Sequence, residues 1–437
     1  MAKILVAGAG HGGLVAAYNL AKEGYDVTVI EAKQRSEMGH DWEDFLNMTA
    51  FDLSGIPRPD ESMYTQENGQ GFRNPSGTKM IRVATGSDSM TMDRKLLLSH
   101  IIDCALEAGV KIIFGHKIIS PIVYNATVKG FNVCDGERNY RLTGDLVIDS
   151  AGMYSPIRTQ LPVVCGIQKD FQPKDVFHIY RAYYENPSCR KTEPQYIVDL
   201  FHMNRPGIDW TITHENHIDI LIGKFGSSGE LSQSEVDETL SAYKKEYPFF
   251  TDNILRGGYF ADIPLSKMLP MLVCDGYAAI GDCAGMTVPL NGSGMVLSMR
   301  AGKILADTII KADGKYTREK LWPYQYNYFC TMGHSLVIVA VLKSFFTHIS
   351  GEVVDLFIEK EILNSQTLNI GGDEPLDISS EFVANALGIM PSLYRLFPSM
   401  IRSFKGLPVL FLLDKIMPEE YSEDGIRKWQ RVYGMFG

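Results

Sequence analysis

Clustered cysteines are missing from this chain of 437 residues. Its seven cysteines are scattered singly, with no C-x-x-C pair and no Cys/His group at the spacing of a structural zinc or iron–sulfur site. We therefore expect no metal centre. Single cysteines in a chain whose first residues do not resemble a secretory leader are typical of a reducing compartment, so a cytoplasmic location is expected.

Long hydrophobic runs and an excess of positive charge are also missing. The longest aliphatic runs, Leu336–Leu342 and Leu407–Leu413, fall far short of the roughly 20 residues that span a membrane. The chain has 42 Lys and Arg against 52 Asp and Glu, a net charge of −10. Because nucleic-acid binding needs a basic surface, we do not expect a nucleic-acid partner.

The chain is too long for one compact core, because single cores stop growing at roughly 250–300 residues. Its patterns predict an α/β nucleotide-binding domain in two parts, residues 1–165 and 256–315. Residues 166–255 show two-residue alternation with many aromatics, which predicts an inserted antiparallel sheet. Residues 316–437 are helical in pattern, apolar and aromatic.

A glycine fingerprint separates the predicted first strand, Ile4–Ala7, from the helix after it. Gly8 allows the tight turn, Gly10 lets the backbone approach a pyrophosphate, and Gly13 lets the helix pack close to the sheet. The phosphates would lie at the N-terminus of that helix, where free N–H groups favour anions. Glu31, at the end of the second strand, is placed to bind ribose hydroxyls. The unit predicts dinucleotide binding.

A second motif near residue 280 indicates which dinucleotide is bound. Gly281 and Asp282 follow a predicted strand, where the carboxylate can bind the ribityl hydroxyls of a flavin. Pro289, Gly292 and Gly294 open a helix whose positive end would face the pyrimidine edge of a reduced flavin. FAD is therefore the expected cofactor.

These segments, together with Asp149–Arg158, resemble in order the three flavin signatures of the p-hydroxybenzoate hydroxylase-like flavoproteins. Over roughly residues 1–310 the sequence is most similar to the geranylgeranyl reductase branch of that group. The resemblance implies that Gly152 and Arg94 contact the cofactor, although a surface ion pair remains the alternative for Arg94. It also implies that Trp210 lines a substrate cavity. The expected fold is α/β: a Rossmann-type FAD-binding domain with an inserted antiparallel β-sheet substrate domain and a C-terminal helical region.

The loop Gly39–Phe45 departs from this branch, which often carries a cysteine there. Its polar side chains offer acid and base groups beside Trp42, and alkene reduction needs a proton donor opposite the flavin hydride. A solvated acidic loop is the alternative interpretation. The candidate proton donors are His40, Asp41, Glu43 and Asp44.

Other histidines carry weaker signals. His11 is interpreted as a contact of the phosphate loop or an exposed residue, and His214 and His217 as surface residues that flank a turn.

The expected function is reduction of C=C bonds in a hydrophobic prenyl or lipid substrate by flavin hydride transfer. The alternatives are an FAD-dependent monooxygenase, which would use NAD(P)H and O2 on a small hydrophobic or aromatic substrate, and an electron-transfer flavoprotein. The electron donor would be NAD(P)H or reduced ferredoxin. Ala151 stands where the hydroxylases that this chain resembles have an aspartate linked to nicotinamide use, which counts against direct reduction by NADPH. The aromatic C-terminal helices would cap the substrate. Pro398–Met417, which carries Arg402, Lys405 and Lys415, is the candidate for peripheral membrane contact, with core packing as the alternative interpretation.

Overall fold

The computed structural model describes residues 2–66, 69–368 and 407–436. Its strands are β1 Lys3–Ala7, β2 Asp26–Ile30, β3 Glu43–Asn47, β4 Tyr64–Gln66, β5 Gln70–Arg73, β6 Met80–Val83, β7 Ser89–Asp93, β8 Lys111–Ile113, β9 Lys117–Tyr124, β10 Thr127–Cys134, β11 Asn139–Thr143, β12 Leu146–Asp149, β13 Val176–Glu185, β14 Tyr196–Leu200, β15 Ile208–Thr213, β16 His217–Phe225, β17 Ile254–Pro264, β18 Val273–Cys274 and β19 Tyr277–Ala279. Its helices are α1 His11–Lys22, α2 Thr49–Ser54, α3 Arg94–Glu107, α4 Gln233–Glu246, α5 Met295–Lys311, α6 Arg318–Tyr328, α7 His334–Phe346, α8 Gly351–Glu359, α9 Ser365–Leu368, α10 Leu407–Leu410, α11 Leu413–Ile416 and α12 Glu423–Tyr433.

A parallel sheet organises the nucleotide-binding part, in the strand order β18-β19-β12-β1-β2-β8 with only β18 antiparallel. Its central strands are continuous apolar runs, because both faces of the sheet are covered. Ile4, Leu5 and Val6 of β1 are fully buried. The carboxyl ends of β1, β2, β12 and β19 meet at one edge, where such folds bind their ligands. The predicted Rossmann-type fold with an added antiparallel sheet and C-terminal helices is confirmed.

The second large sheet has the order β17-β13-β16-β15-β14-β5-β6. Its pairs are antiparallel except for β14 with β5. Two of its strands come from residues 70–83, and β17 continues to Pro264, so the sheet extends beyond the predicted insertion 166–255 at both ends. Pairing between such distant segments leaves no signal in local alternation.

One predicted strand is wrong. The sequence pattern predicts a strand over Ile122–Val128, but the chain turns at Asn125 and Ala126 between β9 and β10. Both turn residues have positive φ, 46° and 63°. Such a hairpin turn is usually marked by an Asn-Gly pair, but here alanine, which seldom adopts a positive φ, follows the asparagine. The local sequence therefore gives no signal for the turn.

The C-terminal part contains a helix far longer than its aliphatic run. Helices α6 and α7 join through a π-helical turn, Phe329–Gly333, into one helix over Arg318–Phe346. By length and composition alone this helix qualifies as a membrane span, but 61% of its most apolar window is buried inside the protein. Trp322 and Tyr328 are fully buried, so this helix belongs to the core.

The following helices pack on the edge of the second sheet. Phe345 of α7 and Phe357 of α8 lie in one apolar cluster with Val83 of β6. The sequence pattern predicts helix breaks at Gly371-Gly372, Pro391 and Pro398. These positions lie outside the described residues, as do Arg402 and Lys405.

Candidate FAD site

The glycine turn after β1 closes against Ser150, the residue that follows β12. A Cβ atom on Gly10 would lie 2.7 Å from Ser150 Oγ, and one on Gly13 would lie 2.6 Å from Ser150 Cβ. Gly8 has a φ of +82°, and its Cβ would lie 2.7 Å from the Ser150 carbonyl oxygen. Larger residues would fill the space beside the turn, so all three glycines are required by close packing.

Helix α1 begins directly at this turn and has no side-chain cap. Its first N–H groups are therefore free to bind a phosphate. His11 Nε2 is buried without a hydrogen-bond partner at the same place. Burial, together with the charge of Arg94, lowers the pKa of His11 to about 3, so its imidazole is neutral and leaves a polar atom available to a ligand.

Glu31 is held beside the turn by two backbone hydrogen bonds. Its Oε2 accepts from the Ala9 N–H at 2.8 Å, and its Oε1 accepts from the Lys33 N–H at 2.8 Å. The carboxylate is thus fixed at the end of β2, as a residue that binds ribose must be.

Asp282 and the start of α5 form the second half of the site. A Cβ on Gly294, the uncapped N-terminal residue of α5, would lie 3.6 Å from Asp282 Oδ1. Burial raises the pKa of the Asp282 carboxyl, and Arg94 acts in the opposite direction. The side chain nevertheless remains open to solvent, which is the situation of a group inside a wide cleft. Pro289 is buried, and Gly292 has a φ of +78°.

Two glycines let α5 pack closely against the start of α1. A Cβ on Gly302 of α5 would lie 2.5 Å from the carbonyl oxygen of Gly12 in α1. Gly152 follows β12 with φ +81° and open space around its Cα, and Gly281 follows β19. These segments converge on one sheet edge, and their open glycines, free N–H groups and carboxylates fit FAD.

Arg94 is partly buried and paired with Asp44. Its Nη2 donates to Asp44 Oδ1 at 2.7 Å, and its Nε donates to Asp44 Oδ2. The guanidinium also lies 5.3 Å from the Trp42 ring centroid. The charge of Arg94 acts to lower the pKa values of His11 and Asp282, so Arg94 lies near both halves of the candidate site.

The four candidate proton donors face different surroundings. Asp41 is paired with Lys95 at 3.0 Å and Arg256 at 3.4 Å. Burial acts to raise the pKa of Asp41, but these two cations outweigh it and lower that pKa. Asp44 is occupied by Arg94. Glu43 points instead at the β15–β16 hairpin.

His40 is the candidate that lies among aromatic rings. Its ring is stacked on Trp42 with centroids 4.2 Å apart, and its Nδ1 lies 3.3 Å from the Tyr259 hydroxyl. Burial lowers the pKa of His40 to about 4, with Arg94 adding to the effect. The imidazole is therefore neutral near pH 7 and able to hold a hydrogen bond with Tyr259.

Arg181 and Asp219 connect this loop to the second sheet, and sequence reasoning missed both. The Arg181 guanidinium lies 5.4 Å from the Trp42 ring centroid and 5.2 Å from that of Trp210. It therefore joins the loop Gly39–Phe45 to Trp210, the residue predicted to line the substrate cavity. Arg181 Nη1 also lies 4.0 Å from Asp44 Oδ1. A charged residue in an otherwise apolar buried strand was the available signal.

An apolar layer lies between the second sheet and two segments of the candidate site, called here the flavin segments: the loop Gly39–Phe45 and the motif that contains Leu290. Trp42 from the loop and Leu290 from the second motif pack into the same cluster as one face of the sheet. The buried sheet residues of this cluster are Phe177, Ile179, Tyr183, Tyr196, Val198, Ile208, Ile212, Leu221 and Phe225.

The chain is similar to a nucleotide-binding domain family and to lipid reductases. An NAD(P)-binding Rossmann-like domain matches residues 6–39. The digeranylgeranylglycerophospholipid reductase of Sulfolobus acidocaldarius is 23% identical over 94% of this chain and 92% of its own length. That of Methanosarcina acetivorans is 23% identical over 80% of this chain and 86% of its own length.

Solved structures show the same fold. A geranylgeranyl bacteriochlorophyll reductase-like protein of Thermoplasma acidophilum superimposes with a TM-score of 0.74 at 17% identity, covering 94% of this chain and 99% of that one. A flavin-dependent brominase superimposes with a TM-score of 0.68 at 14% identity, covering 90% and 99%.

The fold and the site together define an FAD-dependent oxidoreductase, as expected. More particularly, the chain is similar to the geranylgeranyl reductases, which confirms the resemblance drawn from its motifs.

Proposed function

We propose that this enzyme reduces isolated C=C bonds in a prenyl or related lipid chain. The observation that carries the proposal is the apolar layer between the second sheet and the flavin segments, where Trp42 and Leu290 meet the sheet. A long hydrocarbon substrate gains most of its binding energy by burying apolar area, and this layer would supply that area if its packed side chains part at the flavin segments. The end-to-end similarity to lipid reductases supports the same substrate class.

Saturation of a C=C bond adds one hydride and one proton. Bound FAD, once reduced, supplies the hydride, so the chain must bind the substrate, exclude water and deliver the proton. The Arg94–Asp44 pair and the stacked rings of His40 and Trp42 fix the loop beside the glycine turn. A fixed loop holds the proton donor at a constant distance and orientation relative to the alkene.

His40 is the side chain we propose for proton delivery. Asp41 and Asp44 are tied to cations, and Glu43 faces away from the glycine turn. The Tyr259 hydroxyl, which accepts the Asp41 N–H at 2.9 Å, is free to donate to His40 Nδ1. In that arrangement His40 Nε2 carries the proton that would pass to the substrate carbon. Tyr259 would return a proton to Nδ1, and solvent water would reprotonate the half-buried Tyr259 hydroxyl.

The electron donor, location and membrane contact also belong to this proposal. NAD(P)H or reduced ferredoxin would reduce the flavin of a cytoplasmic enzyme. Peripheral membrane contact is supported by exposed apolar side chains in the C-terminal segment, since such residues anchor interfacial helices. Those side chains are Phe411, Leu412, Ile416 and Met435.

The test uses photoreduced holoenzyme mixed without oxygen with a geranylgeranyl-chain lipid. We expect the flavin to reoxidise and the lipid to gain two mass units for each reduced bond. A lipid that stays unsaturated, while a small aromatic compound gains an oxygen atom from O2, would favour the monooxygenase. Reoxidation by quinones alone would favour the electron-transfer flavoprotein. Either result would overturn the proposal.

A further inference from the structure

A cluster of three potential ligands lies outside the flavin site. Glu43, His214 and His217 each place one ligand atom within 4.8 Å of the others. The two histidines flank the two-residue turn of the β15–β16 hairpin, and the His214 N–H donates to the His217 carbonyl at 2.9 Å. Glu43 comes from β3, so the cluster joins two distant parts of the chain.

The polar atoms at the centre of this cluster have no partners. The Nε2 atoms of His214 and His217 are both buried without a hydrogen bond among the described residues. His214 Nε2 is 3.8 Å from Glu43 Oε2, which is too long for a hydrogen bond. Buried polar atoms are almost always satisfied, so two orphaned nitrogens beside one carboxylate require an explanation.

The neighbouring residues fix which atoms face the centre. His217 Nδ1 lies 2.7 Å from Asn216 Oδ1, an acceptor, so Nδ1 carries the proton and Nε2 presents a lone pair. Outer-sphere hydrogen bonds of this kind orient histidines that bind metals. The Glu43 backbone N–H is held by the Tyr183 hydroxyl at 2.6 Å.

The surrounding charges leave room for a cation. Arg256 Nη1 lies 3.9 Å from Glu43 Oε1, but its Nη2 is already paired with Asp93 at 2.6 Å and with Asp41 at 3.4 Å. The side chains of Glu43 and His214 remain 25% and 31% exposed, so an ion can enter from solvent.

We propose that Glu43, His214 and His217 bind a divalent transition-metal ion of the zinc class. Two imidazoles and one carboxylate are a ligand set that Zn²⁺ prefers, with water in the fourth position. Tetrahedral bonds of about 2.0–2.1 Å separate the ligand atoms by about 3.3 Å. The two imidazole rings are stacked with their centroids 4.3 Å apart, so both rings must rotate out of the stack to turn their Nε2 atoms towards one ion. The ion would fasten the loop Gly39–Phe45 to the second sheet.

This proposal runs against the expectation of no metal centre. The expectation rested on the absence of Cys and His at zinc-finger spacing. Here the ligands are His214 and His217, which form an H-x-x-H turn, and the carboxylate of Glu43 from far upstream. Local spacing rules cannot detect a ligand supplied by a distant strand.

The test uses holoenzyme treated with EDTA, freed of chelator and titrated with ZnSO4. Elemental analysis should give one zinc per FAD, and competition with a chromogenic chelator gives the affinity. The double variant His214→Ala/His217→Ala should lose this zinc while it keeps its FAD. Asn216→Ala should weaken zinc binding roughly 10–100-fold, as loss of an outer partner does.

His348→Ala is the matched control, because it removes an exposed imidazole whose hydrogen bonds among the described residues go to Ser344 and Thr347. It should bind zinc like the wild type. The proposal is overturned if the wild type and the double variant bind the same amount of zinc with the same affinity. It is also overturned if His348→Ala removes the zinc.

Discussion

Arg181 and Asp219 form a two-point ion pair inside the second sheet. Arg181 Nε donates to Asp219 Oδ1 at 3.0 Å, and Nη2 donates to Oδ2 at 2.6 Å. Their side chains are only 5% and 1% exposed. Arg181 of this pair also lies against Trp42 of the loop Gly39–Phe45. The pair therefore connects that loop to the second sheet.

Removal of the carboxylate should destabilise this junction. Asp219→Ala would leave the Arg181 charge buried without its partner, which typically costs about 3–5 kcal/mol. We expect a clearly lower thermal unfolding midpoint of the holoenzyme. Arg427→Ala is the control, since it breaks exposed pairs on α12 that contribute about 0.3–0.5 kcal/mol. Equal midpoints for the two variants would contradict the structural role of Asp219.

The nucleotide turn is predictable from sequence and the junction is not, for a physical reason. Gly8, Gly10, Gly13 and Glu31 act within one βαβ unit, where spacing along the chain determines position in space. Arg181 acquires its surroundings from three segments that meet only after the sheets have formed. For the same reason, local sequence patterns do not reveal that Glu43 lies beside His214 and His217. Nor do they reveal that the strands of residues 70–83 join the second sheet.

Gly13→Ala should expel FAD because its Cβ would collide with the Ser150 side chain. The shortest contacts of this Cβ are with Ser150 Cβ and Oγ, at 2.6 and 2.7 Å, and Val6 Cγ1 follows at 3.0 Å. Ser150→Gly removes the two closest atoms and leaves the Val6 methyl, so the double variant Gly13→Ala/Ser150→Gly should recover part of the bound FAD. The ratio of flavin to protein absorbance after gel filtration measures this recovery.

Gly8→Ala supplies the matched control for that rescue. Its Cβ would meet backbone atoms of Ser150 and Ala151, and its positive φ strains any larger residue. Ser150→Gly should therefore not restore FAD to Gly8→Ala. Rescue of both glycine variants would show that the collision with the Ser150 side chain is not the cause.

Asp282→Ala should weaken FAD binding. A hydrogen bond to a charged group contributes about 1.5–3 kcal/mol, which corresponds to roughly 10–150-fold in affinity. Asp307→Ala, on the half-exposed surface of α5, is the control and should retain FAD. A full flavin complement in Asp282→Ala would remove Asp282 from the cofactor site.

Protonation of His11 should lower the free energy of unfolding as the pH falls. Burial lowers its pKa to about 3 in the folded chain from the ordinary histidine value of 6.5, so the unfolded chain binds the extra proton between these values. Its contribution to stability is complete above pH 6.5 and declines as the pH falls towards 3. His11→Asn should therefore flatten the fall of the unfolding midpoint between pH 6.5 and 4.5. An unchanged slope would contradict this assignment.

His40→Gln should slow proton delivery without affecting the flavin itself. Loss of a general acid typically costs about 10²–10⁴-fold, so anaerobic reoxidation of the reduced holoenzyme by a prenyl lipid should slow by that factor. Tyr259→Phe should cost less, because it acts through His40. Ferricenium, which takes electrons without protonation of carbon, should reoxidise both variants at the wild-type rate. If His40→Gln slows both acceptors equally, His40 serves the flavin or the fold instead of the substrate.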